Sequence, residues 1–314
     1  MRTTNRLFKA LRPLALALSI VVLPAGVAAQ VAGALPLTTQ LPASTRAMAL
    51  GDSYQMSAGH ADAIFYHPAL LAGASGFGLD VQRWSIEGSA VAASAAVSWL
   101  GGGVGIGLRS LQYRASGSGE LAAPGGQDHL FEAESVPVSE RVATLGYARE
   151  AFLGIDVGVA LSLVEERVGP SQHGVALVDV GLSREVGPVT VGLTVHDLGE
   201  KPLVETGSEP SRVTLGVGRY GRPLGPLDVG FAANMGVDDD EFTYGGGVEL
   251  GYWPIQGRTF VARFGFEDVP EGSDASVFTT GLAYWGDDIS IEWAFRPVSD
   301  ADEGGTHRFG VRWR

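Results

Sequence analysis

Among its 314 residues the chain has no cysteine, only four methionines, and, outside its first thirty residues, a single lysine, Lys201. The lack of cysteine excludes disulfides, thiolate metal sites and cysteine nucleophiles. Positive charge is scarce too: 22 Lys and Arg stand against 35 Asp and Glu, a formal charge of −13. Such a balance speaks against nucleic acid as a partner, because phosphate binding needs concentrated basic surface. No apolar run is long enough for a membrane-spanning helix, and the longest, Leu14 to Val27, is near the N-terminus. If the chain enters a membrane beyond that run, it does so with strands.

The N-terminus supplies a compartment. Arg2, Arg6, Lys9 and Arg12 precede the run from Leu14, which closes on Val27-Ala28-Ala29. That is the order of a secretory signal peptide over residues 1–29, with small residues at Val27 and Ala29 placing cleavage before Gln30. Removing four basic residues from the 22 leaves 18 against 35 acidic, a formal charge of −17.

What is abundant is glycine, 45 residues, together with strict alternation. Ile155, Val157, Val159, Leu161 and Leu163 are separated by Asp156, Gly158, Ala160 and Ser162, and the same period recurs to the end of the chain. Successive strand side chains point to opposite faces, so one face is apolar and the other small or polar. Fourteen such segments are predicted, near 76–84, 86–99, 102–115, 138–149, 153–166, 174–185, 188–197, 210–220, 226–237, 241–253, 257–267, 275–285, 288–297 and 306–313. The expected fold class is all-β: an antiparallel transmembrane barrel of about fourteen strands over residues 76–314.

Two features fit that reading. Every second connection is compact, as periplasmic turns are, whereas Ser116–Pro137, Arg167–His173, Asp197–Glu209, Asp238–Glu241, Asp268–Asp274 and Val298–Gly305 read as outer loops. Aromatic residues gather at strand ends. Trp99, Tyr147, Tyr220, Tyr252, Trp253, Tyr284, Trp285 and Trp313 fall toward the periplasmic side; Trp84, Tyr113, Phe242, Phe266, Trp293 and Phe295 fall toward the outside. The last strand puts Phe309, Val311 and Trp313 outward, resembling the signal read by the barrel-assembly machinery, with Arg314 as an extra terminal residue.

Inward parity falls on Arg109, Asp156, Arg212, Asp228, Glu249, Arg263, Glu267, Glu292, Arg308 and Arg312. Pairing among such charges would hold a plug, and unpaired ones would line a solute path. Residues 30–75 lack the alternation. Because a fourteen-stranded lumen is wider than a filled eight-stranded one, this segment is expected to form a luminal hatch.

No enzymatic signature emerges. The six histidines, His60, His67, His129, His173, His196 and His307, show no His-Glu-x-x-His spacing, and no Gly-x-Ser-x-Gly elbow accompanies His196-Asp197. Gly245–Gly247 is not followed by the Lys-Ser/Thr of a phosphate loop, and Asp238–Glu241 lacks EF-hand spacing. Neither a cofactor nor a metal is read from the chain.

Ser44-Thr45-Arg46-Ala47-Met48-Ala49-Leu50-Gly51 and the later Asp62-Ala63-Ile64-Phe65-Tyr66-His67-Pro68-Ala69-Leu70-Leu71 resemble the N-terminal signature of PorV/PorQ-type proteins, within the wider FadL-like group of outer-membrane barrels. The resemblance implies a hatch motif made of Arg46, Gly51, Asp62, Ala63, Tyr66, His67, Pro68 and Ala69. His67 departs from the Asn usual there, and it reads as a turn residue before proline or as a pH-sensitive latch. A non-enzymatic role follows: a surface assembly or shuttle component for exported proteins, as in type IX secretion. The alternative is a FadL-like channel for hydrophobic small molecules. The expected location is a Gram-negative-type outer membrane, in contact with lipid, lipopolysaccharide and the assembly machinery, and either secretion proteins or a hydrophobic solute.

Overall fold

A computed structural model describes residues 36–53, 56, 59–83, 88–115, 136–198, 212–238, 241–255, 257–269, 276–298 and 305–313. The expected signal peptide, Trp84, Arg314, Asp239-Asp240 and most of the outer loops lie outside the described residues. The fourteen strands are β1 Gly76–Arg83, β2 Ser89–Trp99, β3 Gly102–Ala115, β4 Val136–Phe152, β5 Ile155–Val168, β6 Ser171–Val186 and β7 Val189–Leu198, then β8 Val213–Leu224, β9 Leu227–Asp238, β10 Glu241–Ile255, β11 Arg258–Glu267, β12 Phe278–Trp285, β13 Ile289–Arg296 and β14 Thr306–Trp313. Each pairs antiparallel with its sequence neighbours, and β1 pairs with β14 through Phe77↔Trp313 to Arg83↔His307. The sheet is a closed barrel, and closure leaves no open edge.

Alternation decides the faces. In β14 exposed His307, Phe309, Val311 and Trp313 alternate with buried Thr306, Arg308, Gly310 and Arg312. Every strand presents exposed large apolar residues outward, from Phe77, Leu79 and Val81 on β1 to Ile289 and Ile291 on β13. A continuous apolar belt of this kind is far beyond what a monomer leaves in water, and it fits a lipid solvent.

The even-numbered connections are turns of two or three residues. Leu100-Gly101 and Leu153-Gly154 have both central residues at positive φ, the pairing that matches the twist of flanking strands. One expected outer loop is a correction: Arg167–His173 is mostly strand, with β5 and β6 joined at Gly169-Pro170. Arg167, Gln172 and His173 lie above the apolar belt, so their strand carries no greasy face for a pattern to catch. Two aromatic positions are also corrected. Tyr113 and Trp285 face the lumen, where the Tyr113 hydroxyl donates to Glu140 Oε1 at 3.3 Å and Trp285 Nε1 donates to Glu292 Oε1 at 3.4 Å.

Candidate functional site: the luminal hatch and its seat

Residues 36–53 and 59–75 lie inside the barrel as short helices, α1 (Leu37–Gln40) and α2 (Thr45–Ala49), followed by two 3-10 segments, Ala61–Phe65 and Pro68–Gly73. Ala47, Met48, Ala49, Leu50, Ile64, Ala69 and Leu71 are all buried. Tyr66 ties the two halves together: its hydroxyl oxygen accepts the backbone N–H of Ala43 at 2.7 Å and of Ser44 at 2.8 Å. The Ala63 carbonyl accepts from the N–H groups of Tyr66 and His67, and Pro68 opens the next segment, where its missing N–H costs nothing.

On one side the hatch is held by charge. Arg46 Nη2 donates to Glu249 Oε1 at 2.8 Å, Arg263 Nε donates to Glu249 Oε2 at 2.7 Å, and Arg263 Nη2 donates to Glu292 Oε1 at 3.1 Å. Arg46 and Arg263 also stack over Trp285, at 5.4 and 5.7 Å from the ring centre. Next to this chain of pairs, Arg312 bridges Asp62 at 3.1 Å and Asp80 at 2.9 Å, while Asp80 accepts from the backbone N–H and hydroxyl of Thr45. Arg308 donates to Gln82 at 2.6 Å and to the Ala43 carbonyl at 2.5 Å. These charges sit on β1, β10, β11, β13 and β14, an unbroken arc when β12 with Trp285 is included.

The opposite arc is built from absence of side chains. A Cβ on Gly103 would strike the Leu71 carbonyl, and one on Gly158 would strike the Pro68-Ala69 backbone. The His67 imidazole lies on Gly181 of β6 and Gly192 of β7, where added Cβ atoms would sit 2.9 and 2.6 Å from its ring nitrogens. Gly181 pairs with Thr194 and Ser183 pairs with Gly192, so the ring occupies one diagonal of a square whose other corners are hydroxyls. Glycine here makes room for hatch backbone and one ring. The same device recurs under α2, where Gly247, Gly265 and Gly281 admit Leu50, Gly51 and Ala49. Gly51 itself turns the chain at φ 63°.

Burial sets the protonation of the hatch. It pushes the Asp52 carboxyl up to about 6, against the pull of Arg212, Arg296, Arg308 and Arg109. Burial, with Asp52 nearby, raises the Tyr66 phenol well above its ordinary range, so it stays neutral. His67 is lowered to about 3 by burial and by His196, so the pH-latch reading is corrected: the imidazole stays neutral throughout pH 5 to 8.

The remaining inward charges are dispersed. Arg109 on β3 donates to the Thr38 carbonyl at 2.9 Å and lies over Phe65. Glu267 pairs with Arg296. Arg212 stands just before β8 where its carbonyl accepts from His196, and Asp156 and Asp228 lie near the tight-turn end of β5 and β9. Sequence reasoning missed Asp80, Gln82, Glu140, Asp179 and His196 as luminal groups. The parity of Phe77, Leu79 and Val81 would have turned Asp80 and Gln82 inward. His196 faces Asp179 at 3.7 Å, so its carboxylate is not the adjacent Asp197. Also missed was an apolar luminal patch of Val142, Val164, Val175 and Leu177 on β4, β5 and β6. It is bordered by Leu111 and by Glu140, which accepts the Thr38 N–H at 2.6 Å.

No protein-family model matches the chain, and no curated protein matches it in sequence. Solved structures do. The Ralstonia pickettii toluene transporter TbuX aligns at a TM-score of 0.57 with 14% identity, over 86% of this chain and 97% of that one. The Pseudomonas putida toluene transporter TodX aligns at 0.54 with 13% identity, over 85% and 95%. A Pseudomonas aeruginosa FadL homologue gives 0.54 with 9% identity, over 87% and 98%. At these identities the likeness is one of fold, and the chain shares the barrel fold of these proteins.

Proposed function

We propose that this protein, cleaved after residue 29, is a non-enzymatic outer-membrane channel that admits hydrophobic small molecules past its hatch. The carrying observation is the luminal patch of Val142, Val164, Val175 and Leu177. An aqueous lumen is lined by polar groups. Four contiguous aliphatic side chains facing inward, beside the α1 end of the hatch, instead offer an apolar solute a place to leave water, worth about 25 cal/mol per Å² buried. The similarity of fold to proteins described as toluene transporters supports the same reading. The hatch is then the gate, because Arg109 and Glu140 connect the edge of the patch to α1 through Thr38.

Toluene accumulation by cells producing wild-type protein or the Val142→Glu and Val164→Glu variants tests this. A several-fold fall in both variants, with barrel assembly intact, is expected; equal accumulation overturns the reading. The exported-protein shuttle rests on the hatch-motif resemblance and ranks second. Loss of a surface protein on deletion, with no change in toluene uptake, would reverse the order.

A further inference from the structure

The arginines fall into separate groups, and one lies on the outer wall rather than in the lumen. On β3, β4 and β5 the outward face ends its apolar belt at Leu108, Ala143 and Leu163, which are register partners. The next outward row is Ser110, Arg141 and Glu165; the row beyond is Gln112, Ser139 and Arg167, and Arg114 follows opposite Pro137. Arg114, Arg141 and Arg167 are all exposed. Arg141 faces Glu165 across the register yet makes no hydrogen bond or ion pair with a described residue. Arg167 spends one N–H on Gln172 at 3.1 Å. With Glu165 between them, Arg141 and Arg167 leave this part of the wall at a formal +1, and Arg114 stands beyond them with a contact of its own.

Height fixes what these groups meet. β4 has 17 residues and β6 has 16, whereas β1, β12, β13 and β14 have eight each, so the wall is tall on the β3–β6 side. On the low side the same end finishes in Phe266, Phe278 and Phe295 on β11 to β13, and in one exposed arginine, Arg83, opposite His307 on β1 and β14. Rows on one face are about 6.6 Å apart along a strand. The arginines therefore begin one row above the hydrocarbon belt, at headgroup depth, on the end opposite the tight turns. Guanidinium groups match phosphate oxygens two at a time and are weakly hydrated, which suits this boundary.

We propose that Arg141 and Arg167 dock the phosphorylated headgroup of an outer-leaflet glycolipid of the lipid A type. The proposal rests on the barrel standing in an outer membrane with its tight turns in the periplasm.

The test is thermal unfolding of the full mature barrel in detergent, read by its heat-modifiable migration, with bisphosphorylated lipid A, with dephosphorylated lipid A, or with neither. Wild type is expected to gain several degrees with the phosphorylated lipid alone. Arg141→Ala combined with Arg167→Ala is expected to lose that gain, and Glu165→Gln to keep it. An equal gain in the double variant, or an equal gain with the dephosphorylated lipid, overturns the site while leaving the barrel standing. Absence of heat-modifiable migration in wild type overturns the membrane premise and the site with it. Because both arginines are exposed, the variants should assemble. Lipid A retained by each variant on purification gives a second readout, expected to fall in the double variant.

Discussion

Among the described residues, both arcs that grip the hatch make room for it with glycine, but only one of them adds ion pairs to the hatch. On β10–β14 and β1, long charged side chains reach across and pair: Arg46, Glu249, Arg263 and Glu292 in one chain, Arg312, Asp62 and Asp80 in another. On β3–β7 the wall withdraws, and glycines let backbone and the His67 ring come into direct contact. The first arc depends on each charge finding its partner, the second on nothing occupying a volume. A buried pair adds little net stability, but a buried orphan is costly. The charged arc should therefore fail sharply when one member is lost, and the glycine arc in proportion to the bulk introduced.

The largest expected effect is from Arg263→Ala, which leaves Glu249 and Glu292 without their central cation. A loss of about 3–5 kcal/mol in hatch stability is expected, read by hydrogen exchange of residues 45–53. A change below about 1 kcal/mol would erase the contrast between the arcs. Asp52→Asn comes next. The folded carboxyl titrates near 6 against 3.8 unfolded, so the native state binds its proton more tightly. Ionised Asp52 therefore costs stability that is recovered as pH falls from about 7 to 4. The variant should be more stable than wild type near pH 7.5 by up to about 3 kcal/mol, with the difference vanishing near pH 4. A pH-independent difference would contradict this.

Gly158→Val sharpens the other arc. Its side chain meets the Pro68-Ala69 backbone, and a destabilisation of about 1–3 kcal/mol is expected, together with raised conductance in planar bilayers as the segment is displaced. His67→Asn has the smallest effect. The shorter amide leaves space between Gly181 and Gly192 but places polar atoms toward Ser183 and Thr194, so a change within about 1 kcal/mol is expected in thermal unfolding.

Much of the barrel was legible because alternation is a local property. Phe309, Val311 and Trp313 must share a face whatever the fold, and the same period located all fourteen strands. It failed where the solvent changes. Beyond Leu163 the outward residues are polar rather than apolar, so Arg167 and Gln172 read as loop although they extend β5 and β6. It also could not separate the two uses of an aromatic residue at a strand end, and Trp285 proved to be part of the luminal lock.

By itself the sequence determined which residues face which medium, since strand geometry ties side-chain direction to residue parity. Tertiary structure alone decided the partners. Arg46 meets Glu249, and Arg312 meets both Asp62 and Asp80, across separations in sequence that no local rule spans. The glycines followed the same division: their number was plain in the composition, but only closure of the barrel around the hatch determined which of them leave room for hatch backbone. Parity is fixed by covalent geometry, whereas pairing is fixed by where closure brings the wall and the hatch together.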